Sequence, residues 1–176
     1  SVAVSLFFVY GFMIWTFVLS LTNSRMLPSY DFVGFAQYAQ LMANDRWWVA
    51  ATNLVVFGGL FVGICLVLGA GLAILLDQRI RQEGSLRTIY LYPMALSLIV
   101  TGVVWRWILN PGLGIESLVR GWGFEDFTFD WLVNPDMAIY ALVIAAVWQA
   151  SGFVMALFLA GLRSIDDSLF KAAALD

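Results

Sequence analysis

The chain has 176 residues, of which 62% are hydrophobic and 12% charged, against roughly 45–50% apolar and about 25% charged in soluble domains; this excludes an ordinary soluble domain and marks a membrane protein. A net charge of −3 with nine scattered Lys and Arg offers no positive field to gather nucleic acid. There is no His and only one Cys, Cys65, so Ser-His and Cys-His nucleophiles, His-containing zinc sites and an intramolecular disulfide are all excluded. No catalytic residue and no metal ligand set is assigned.

Four stretches are long enough to cross a bilayer as helices: 2–21, 49–76, 88–109 and 137–162. At about 1.5 Å per residue each reaches the roughly 30 Å of a hydrocarbon core. Unpaired backbone groups are so costly in lipid that runs of this length predict an all-α polytopic helix bundle. The chain opens inside an apolar run and closes inside an amphipathic one, as expected for a piece of a longer protein. A cleaved leader at 2–22 is disfavoured, because the apolar run exceeds a usual signal core and no small-residue cleavage site follows before Arg25.

Orientation follows from the basic residues in the connections. Segments 23–48 and 110–136 hold Arg25, Arg46 and Arg120, whereas the shorter segments 77–87 and 163–176 hold Arg79, Arg81, Arg87, Arg163 and Lys171. The second pair is therefore expected on the cytoplasmic side. Trp47, Trp48, Trp105 and Trp107 fall where helices should meet the outer headgroup layer. Arg106 stands between two of them, one turn before Asn110-Pro111-Gly112; it reads as an interfacial anchor or as the lining of a substrate route.

Within the spans, Gly59 and Gly63 have the small-xxx-small spacing of a close helix contact, inside this subunit or with another. Pro93 removes one intrahelical hydrogen bond and predicts a bend in the third span. No carboxylate lies in any span, which argues against ion-coupled transport in this part of the protein. The midpoint of the fourth span instead carries Trp148, Gln149, Ala150, Ser151 and Gly152. Gln149 and Ser151 require hydrogen-bond partners, so this patch faces other helices or a wet cavity. Interhelical hydrogen bonding explains it. So does a pathway for a polar, uncharged solute, with Trp148 offering an aromatic face to a sugar ring and Gln149, Ser151 and Gly152 bordering the route.

The final stretch, Ser164-Ile165-Asp166-Asp167-Ser168-Leu169-Phe170-Lys171-Ala172-Ala173-Ala174-Leu175-Asp176, is polar and weakly amphipathic. Ile165, Leu169, Ala172 and Ala173 share one helical face, and Asp166 and Asp167 sit at the start, where the helix dipole favours an anion. So short a helix is marginal alone in water and predicts a surface that holds it. Without large apolar residues or a basic face it suits a protein partner better than a membrane surface. The sole Lys, Lys171, follows Phe170, so a Gly-Lys-Ser/Thr phosphate loop is not present and any nucleotide hydrolysis belongs to another subunit.

The same stretch resembles the cytoplasmic Glu-Ala-Ala loop of permease subunits of binding-protein-dependent ABC importers, in the group for carbohydrates and glycerol phosphate. Further likenesses follow in order: Phe32-Val33-Gly34 with Tyr38 and Leu41, Asn53-Leu54, Leu72-Ala73-Ile74-Leu75-Leu76, Arg87 with Pro93, Trp105 to Gly114, and Ala160 to Ile165. Lys171 stands where the family usually has Glu, and Asp166 where it often has Pro. The resemblance implies a fragment of a six-helix core, truncated at the C-terminus, with residues 164–176 beginning a coupling helix. Leu169, Phe170, Lys171, Ala172, Ala173 and Asp176 would contact the ATPase. It implies a second permease subunit, a cytoplasmic ABC ATPase dimer that binds ATP and Mg, an extracytoplasmic sugar-binding protein that meets 23–48 and 110–136, a membrane-lipid surround, and a location in the bacterial inner (cytoplasmic) membrane. No cofactor is expected in this chain. The lack of basic residues in the spans apart from Arg106 points to a neutral sugar, of glucose or mannose type. A polytopic membrane enzyme, or an assembly protein that transports nothing, are the competing readings.

Overall fold

In the computed structural model, residues 2–25, 27–78 and 80–165 are described. They divide into two compact units, Ser1–Leu54 and Val55–Asp176. Among the described residues the regular structure is helical, apart from an isolated antiparallel bridge between Thr22 and Phe32.

The first unit holds α1 (Val2–Ser20) and α2 (Ala36–Met42). After α1 the chain doubles back, with the Val33 amide donating to the Leu21 carbonyl at 2.9 Å and the Asn23 amide to that of Asp31 at 2.9 Å. The Thr22 hydroxyl donates to the Leu19 carbonyl at 2.7 Å, and Ser20 and Tyr38 share a hydroxyl hydrogen bond of 2.6 Å. These polar links replace the ladder that so short a turn lacks. α3 (Asp45–Asp77) begins with Asp45, a carboxylate at the positive end of the helix dipole.

The division between the units falls in α3, after Leu54. The second unit contains the rest of α3, then α4 (Glu83–Leu91), a 3₁₀ turn (Tyr92–Ala95), α5 (Leu98–Ile108), α6 (Gly114–Gly121) and α7 (Ala138–Arg163). Among the described residues α3 and α7 are long and apolar enough to cross a membrane. The pair formed by Glu83–Ala95 and Leu98–Ile108 would be a third span if counted as one, and Val4–Ser20 is a shorter apolar helix.

The core of the second unit is the seam between α3 and α7. Cys65, Gly69, Ala73 and Leu76 form one buried stripe along α3, spaced four, four and three residues apart as one helical face requires. Opposite them lie Val143, Val147, Met155 and Leu159 of α7. The contact is close because Gly69 has no side chain: a Cβ there would lie 2.6 Å from Val154 Cγ1 and 3.0 Å from the Met155 nitrogen. Apolar helices gain no hydrophobic driving force from one another in lipid, so close packing of this kind must hold them. The spacing at Gly59 and Gly63 is not what makes the contact. A Cβ at either glycine meets nothing within 4 Å among the described residues, because α7 lies along the Cys65–Gly69–Ala73 face.

The stretch 88–109, expected as one bent helix, is two helices that meet at 99°. Pro93, buried in the 3₁₀ turn, lacks an N–H and crowds the carbonyl four residues back, so α4 stops at Leu91. Leu96 (φ −78°, ψ 145°) and Ser97 (φ −60°, ψ 135°) are then extended, and the chain turns before α5 starts. Pro93 therefore ends the helix, where a bend was expected. At the far end of α5, Gly112 takes φ +77°, a conformation open to glycine at little cost, and lets the chain reverse into α6.

Gly69→Val overpacks the seam and is expected to cost about 1–3 kcal/mol, read as a lower unfolding temperature in detergent. Gly63→Val, facing open space, should leave that temperature nearly unchanged.

Candidate functional site

The polar patch of α7 does not act as one surface. Successive helical residues step round by about 100°, so 148 and 151 share a face and 149 turns away from them. Trp148 and Ser151 line a cleft of about 620 Å³ between α3, α4, α5 and α7. Trp148 and Trp105 meet there as a T-shaped pair, with ring centroids 5.7 Å apart and planes at 71°, a favoured aromatic geometry. Tyr90 and Pro93 close another side. The cleft is mostly apolar, with Ser151 and the polar edges of its aromatic residues as hydrogen-bonding groups, and no Asp, Glu, Lys or Arg lines it. Trp105 thus faces inward, where the sequence placed it in an outer aromatic belt.

Gln149 faces a second cleft, of about 390 Å³, bordered by Phe61, Leu96 and Phe153. Its Nε2 donates to the Leu96 carbonyl at 3.3 Å, a group released from helical bonding by the break. Gly152 is buried, and a Cβ at that position would run into the Tyr90 carbonyl. These two residues seat the broken α4–α5 segment on α7. Leu96 and Trp105 meet α7 at adjacent residues, Gln149 and Trp148, so α5 crosses α7 and does not run along it. Arg106 is exposed in the last turn of α5, a favourable place for a cation at a helix C-terminus. It lines neither cleft.

Two charged clusters were not singled out from the sequence. In the first, Glu116 of α6, 6% exposed, accepts from the Phe129 amide at 3.0 Å and pairs with Arg120 at 2.8 Å. The Arg120 Nε donates to the Phe127 carbonyl at 2.8 Å. An i, i+4 Glu-Arg pair is a readable signal, but its grip on a loop thirteen residues away is not. Phe127, Phe129 and Trp131 of that loop stack in series, with centroids 6.5 and 5.0 Å apart. The Phe129 amide above all holds the Glu116 carboxyl below its ordinary value of 4.5; burial opposes this, and the Gly112 amide and Arg120 reinforce it. In the second cluster Arg163 of α7 meets Asp77 and Glu83, which brings the ends of 77–87 and of α7 together, two segments that share the basic side in the sequence. The expected ATPase contacts Leu169, Phe170, Lys171, Ala172, Ala173 and Asp176 lie outside the described residues.

Apolar crossing helices around a mostly apolar cleft define a polytopic helical membrane protein. No family model matches the chain. It is 40% identical over 171 residues to a probable ABC transporter permease protein of Pyrococcus horikoshii, covering 96% of this chain and 59% of that one. To the xylose/arabinose import permease protein of Haloferax volcanii it is 43% identical over 171 residues, covering 96% of this chain and 53% of that one. To the trehalose/maltose transport system permease protein of Thermococcus litoralis it is 31% identical over 163 residues, covering 92% and 55%. The fold matches the crystal structure of a bacterial ABC transporter involved in the import of the acidic polysaccharide alginate, with a TM-score of 0.80 at 20% identity over 99% of this chain and 59% of that one. The chain is a homologue of the sugar-import permeases of ABC transporters. It spans a little over half the length of these relatives.

Glu116 titrates lower folded than unfolded, so its contribution is complete above about pH 4.5 and lost as pH falls through the depressed folded value. Protection of the Phe129 amide, corrected for intrinsic exchange, should follow that course in hydrogen-exchange measurements. Glu116→Ala should speed that exchange roughly tenfold at neutral pH, and Glu116→Gln should remove the acid dependence.

Proposed function

We propose that this chain is part of a permease subunit that forms one wall of a translocation pathway for a neutral sugar. The observation that carries this reading is the 43% identity, over 96% of the chain, to a protein named as a xylose/arabinose import permease. On this reading the subunit pairs with a second permease subunit in the cytoplasmic membrane. A separate ABC ATPase binds and hydrolyses ATP, and an extracytoplasmic binding protein delivers the sugar. The structure neighbour solved with an alginate pentasaccharide-bound periplasmic protein, TM-score 0.72, is consistent with such a partner.

The cleft beside α7 suits an uncharged, ring-shaped solute. Trp148 presents an aromatic face and Ser151 a hydroxyl, and the lining supplies no charge to attract a phosphate or carboxylate. Gln149, already donating to Leu96, serves the helix break first. Its hydrogen bond is worth about 0.6 kcal/mol on the scale measured between membrane helices. The chain beyond Ile165, with Ala172 and Ala173 as its small-residue face, is assigned to the ATPase.

The test is uptake by the full-length permease assembled with the ATPase and binding protein, measured across a panel of neutral and phosphorylated sugars. Trp148→Ala removes the ring offered to the sugar; with the roughly 0.5–1.5 kcal/mol of an aromatic pair taken as the scale of that contact, uptake at limiting sugar should fall between about twofold and tenfold. Gln149→Leu should lower thermal stability and leave the order of preference among sugars unchanged. Leu at both Ala172 and Ala173 should abolish co-purification of the ATPase or abolish uptake; retention of both would overturn the assignment.

A further inference from the structure

Three elements of the second unit end on one guanidinium. Arg163, the last residue of α7, donates Nη2 to Glu83 Oε1 at 2.8 Å, Nε to Asp77 Oδ1 at 3.4 Å and Nη2 to the Leu76 carbonyl at 3.4 Å. Asp77 closes α3 and Glu83 opens α4, so a single side chain holds both ends of the 78–82 connection. Helix dipoles show why a cation belongs here. Glu83 is well placed in the first turn of its helix and Arg163 in the last turn of its own, but Asp77 sits at the negative end of α3, where a carboxylate is disfavoured unless matched. Arg163 supplies that match and also takes a terminal carbonyl of α3, one of the groups that no intrahelical donor reaches.

The side chains are partly open to solvent, at 43% for Arg163, 45% for Asp77 and 30% for Glu83. Exposed ion pairs add little to stability. A planar fork on two carboxylates instead fixes geometry, which a Lys could not do as well. Beyond Arg163 the chain stays tightly wound: the Ser164 amide donates to the Ala160 carbonyl at 3.1 Å, the Ile165 amide to that of Leu162 at 3.3 Å, and the Ser164 hydroxyl to that of Gly161 at 2.7 Å. A push or pull on the chain after Ile165 therefore reaches the guanidinium with little slack.

Resting on the permease function proposed above, we infer that Arg163 is a positioning residue that transmits movement of the chain beyond Ile165 to the α3–α4 connection. Without it the α3–α4 connection is no longer tied to the end of α7, and α4 follows α7 only through the contacts at Gly152 and Gln149 further along the helix. ATP is then hydrolysed without a matching movement of sugar.

The experiment uses the full-length permease reconstituted with its ATPase and binding protein, reading ATPase co-purification, ATP hydrolysis and sugar moved per ATP. Arg163→Gln should leave co-purification and hydrolysis within about twofold of the unmodified complex and cut sugar per ATP at least about fivefold, the lower end of typical coupling between sites. Asp77→Asn with Glu83→Gln, which strips the partners and keeps the Arg, should give the same fall and decides the matter if Arg163→Gln does not accumulate. Arg163→Glu with Glu83→Arg should restore at least about half of the ratio that Arg163→Glu alone loses. An unchanged ratio in the first two variants, or a charge exchange that assembles without restoring it, overturns the role of Arg163. If the unmodified chain assembles with no ATPase, the permease reading itself falls and this inference with it, an outcome separate from any effect at residue 163.

Discussion

The arrangement depends on how closely α7 can approach α3. In a hydrocarbon solvent two apolar helices have nothing to gain by hiding from lipid, so their association rests on contact area and fit. The Cys65–Gly69–Ala73–Leu76 stripe supplies that fit, and the absent side chain at Gly69 sets the distance. Several further contacts of the second unit also refer to α7: the broken segment at Gln149 and Gly152, α5 at Trp148, and the ends of α3 and α4 at Arg163. Widening the seam would shift them together.

Much of this was legible because long uncharged runs admit few structures. α3 and α7 contain the stretches where no charge interrupts and end on the charged residues Asp77 and Arg163, although α3 also reaches back through Arg46 to Asp45. The break in the third stretch was legible only in part. Pro93 announces the loss of one hydrogen bond, and Ser97, which stands before the first residue of α5, is a residue type favoured at a helix start, but the carbonyl freed at Leu96 finds its partner 53 residues away. Local pattern cannot show a partner at that distance. The choice between Gly59–Gly63 and Cys65–Gly69–Ala73 was equally hidden: both have the right spacing, and only the position of α7 selects one.

The polar patch on α7 illustrates a similar limit. Its composition asked for partners, and partners exist, but adjacent residues on a helix look in different directions. Trp148 and Ser151 share a cleft, Gln149 supports a neighbouring backbone, and Gly152 is where two backbones touch. A cluster in sequence therefore resolves into one pair that lines a cleft and two residues concerned with architecture. Homology to sugar-import permeases gives that cleft its context, and the chain spans a little over half of those relatives.

The amide of Gln149 on the carbonyl of Leu96 makes the elbow between α4 and α5 sensitive to hydration. In a dry surround, separating them strands a donor and an acceptor, which is costly. Once water can enter, it satisfies both groups and the same separation becomes cheap. The joint is therefore stiff where the neighbouring cleft is empty of solvent and more compliant where water reaches it.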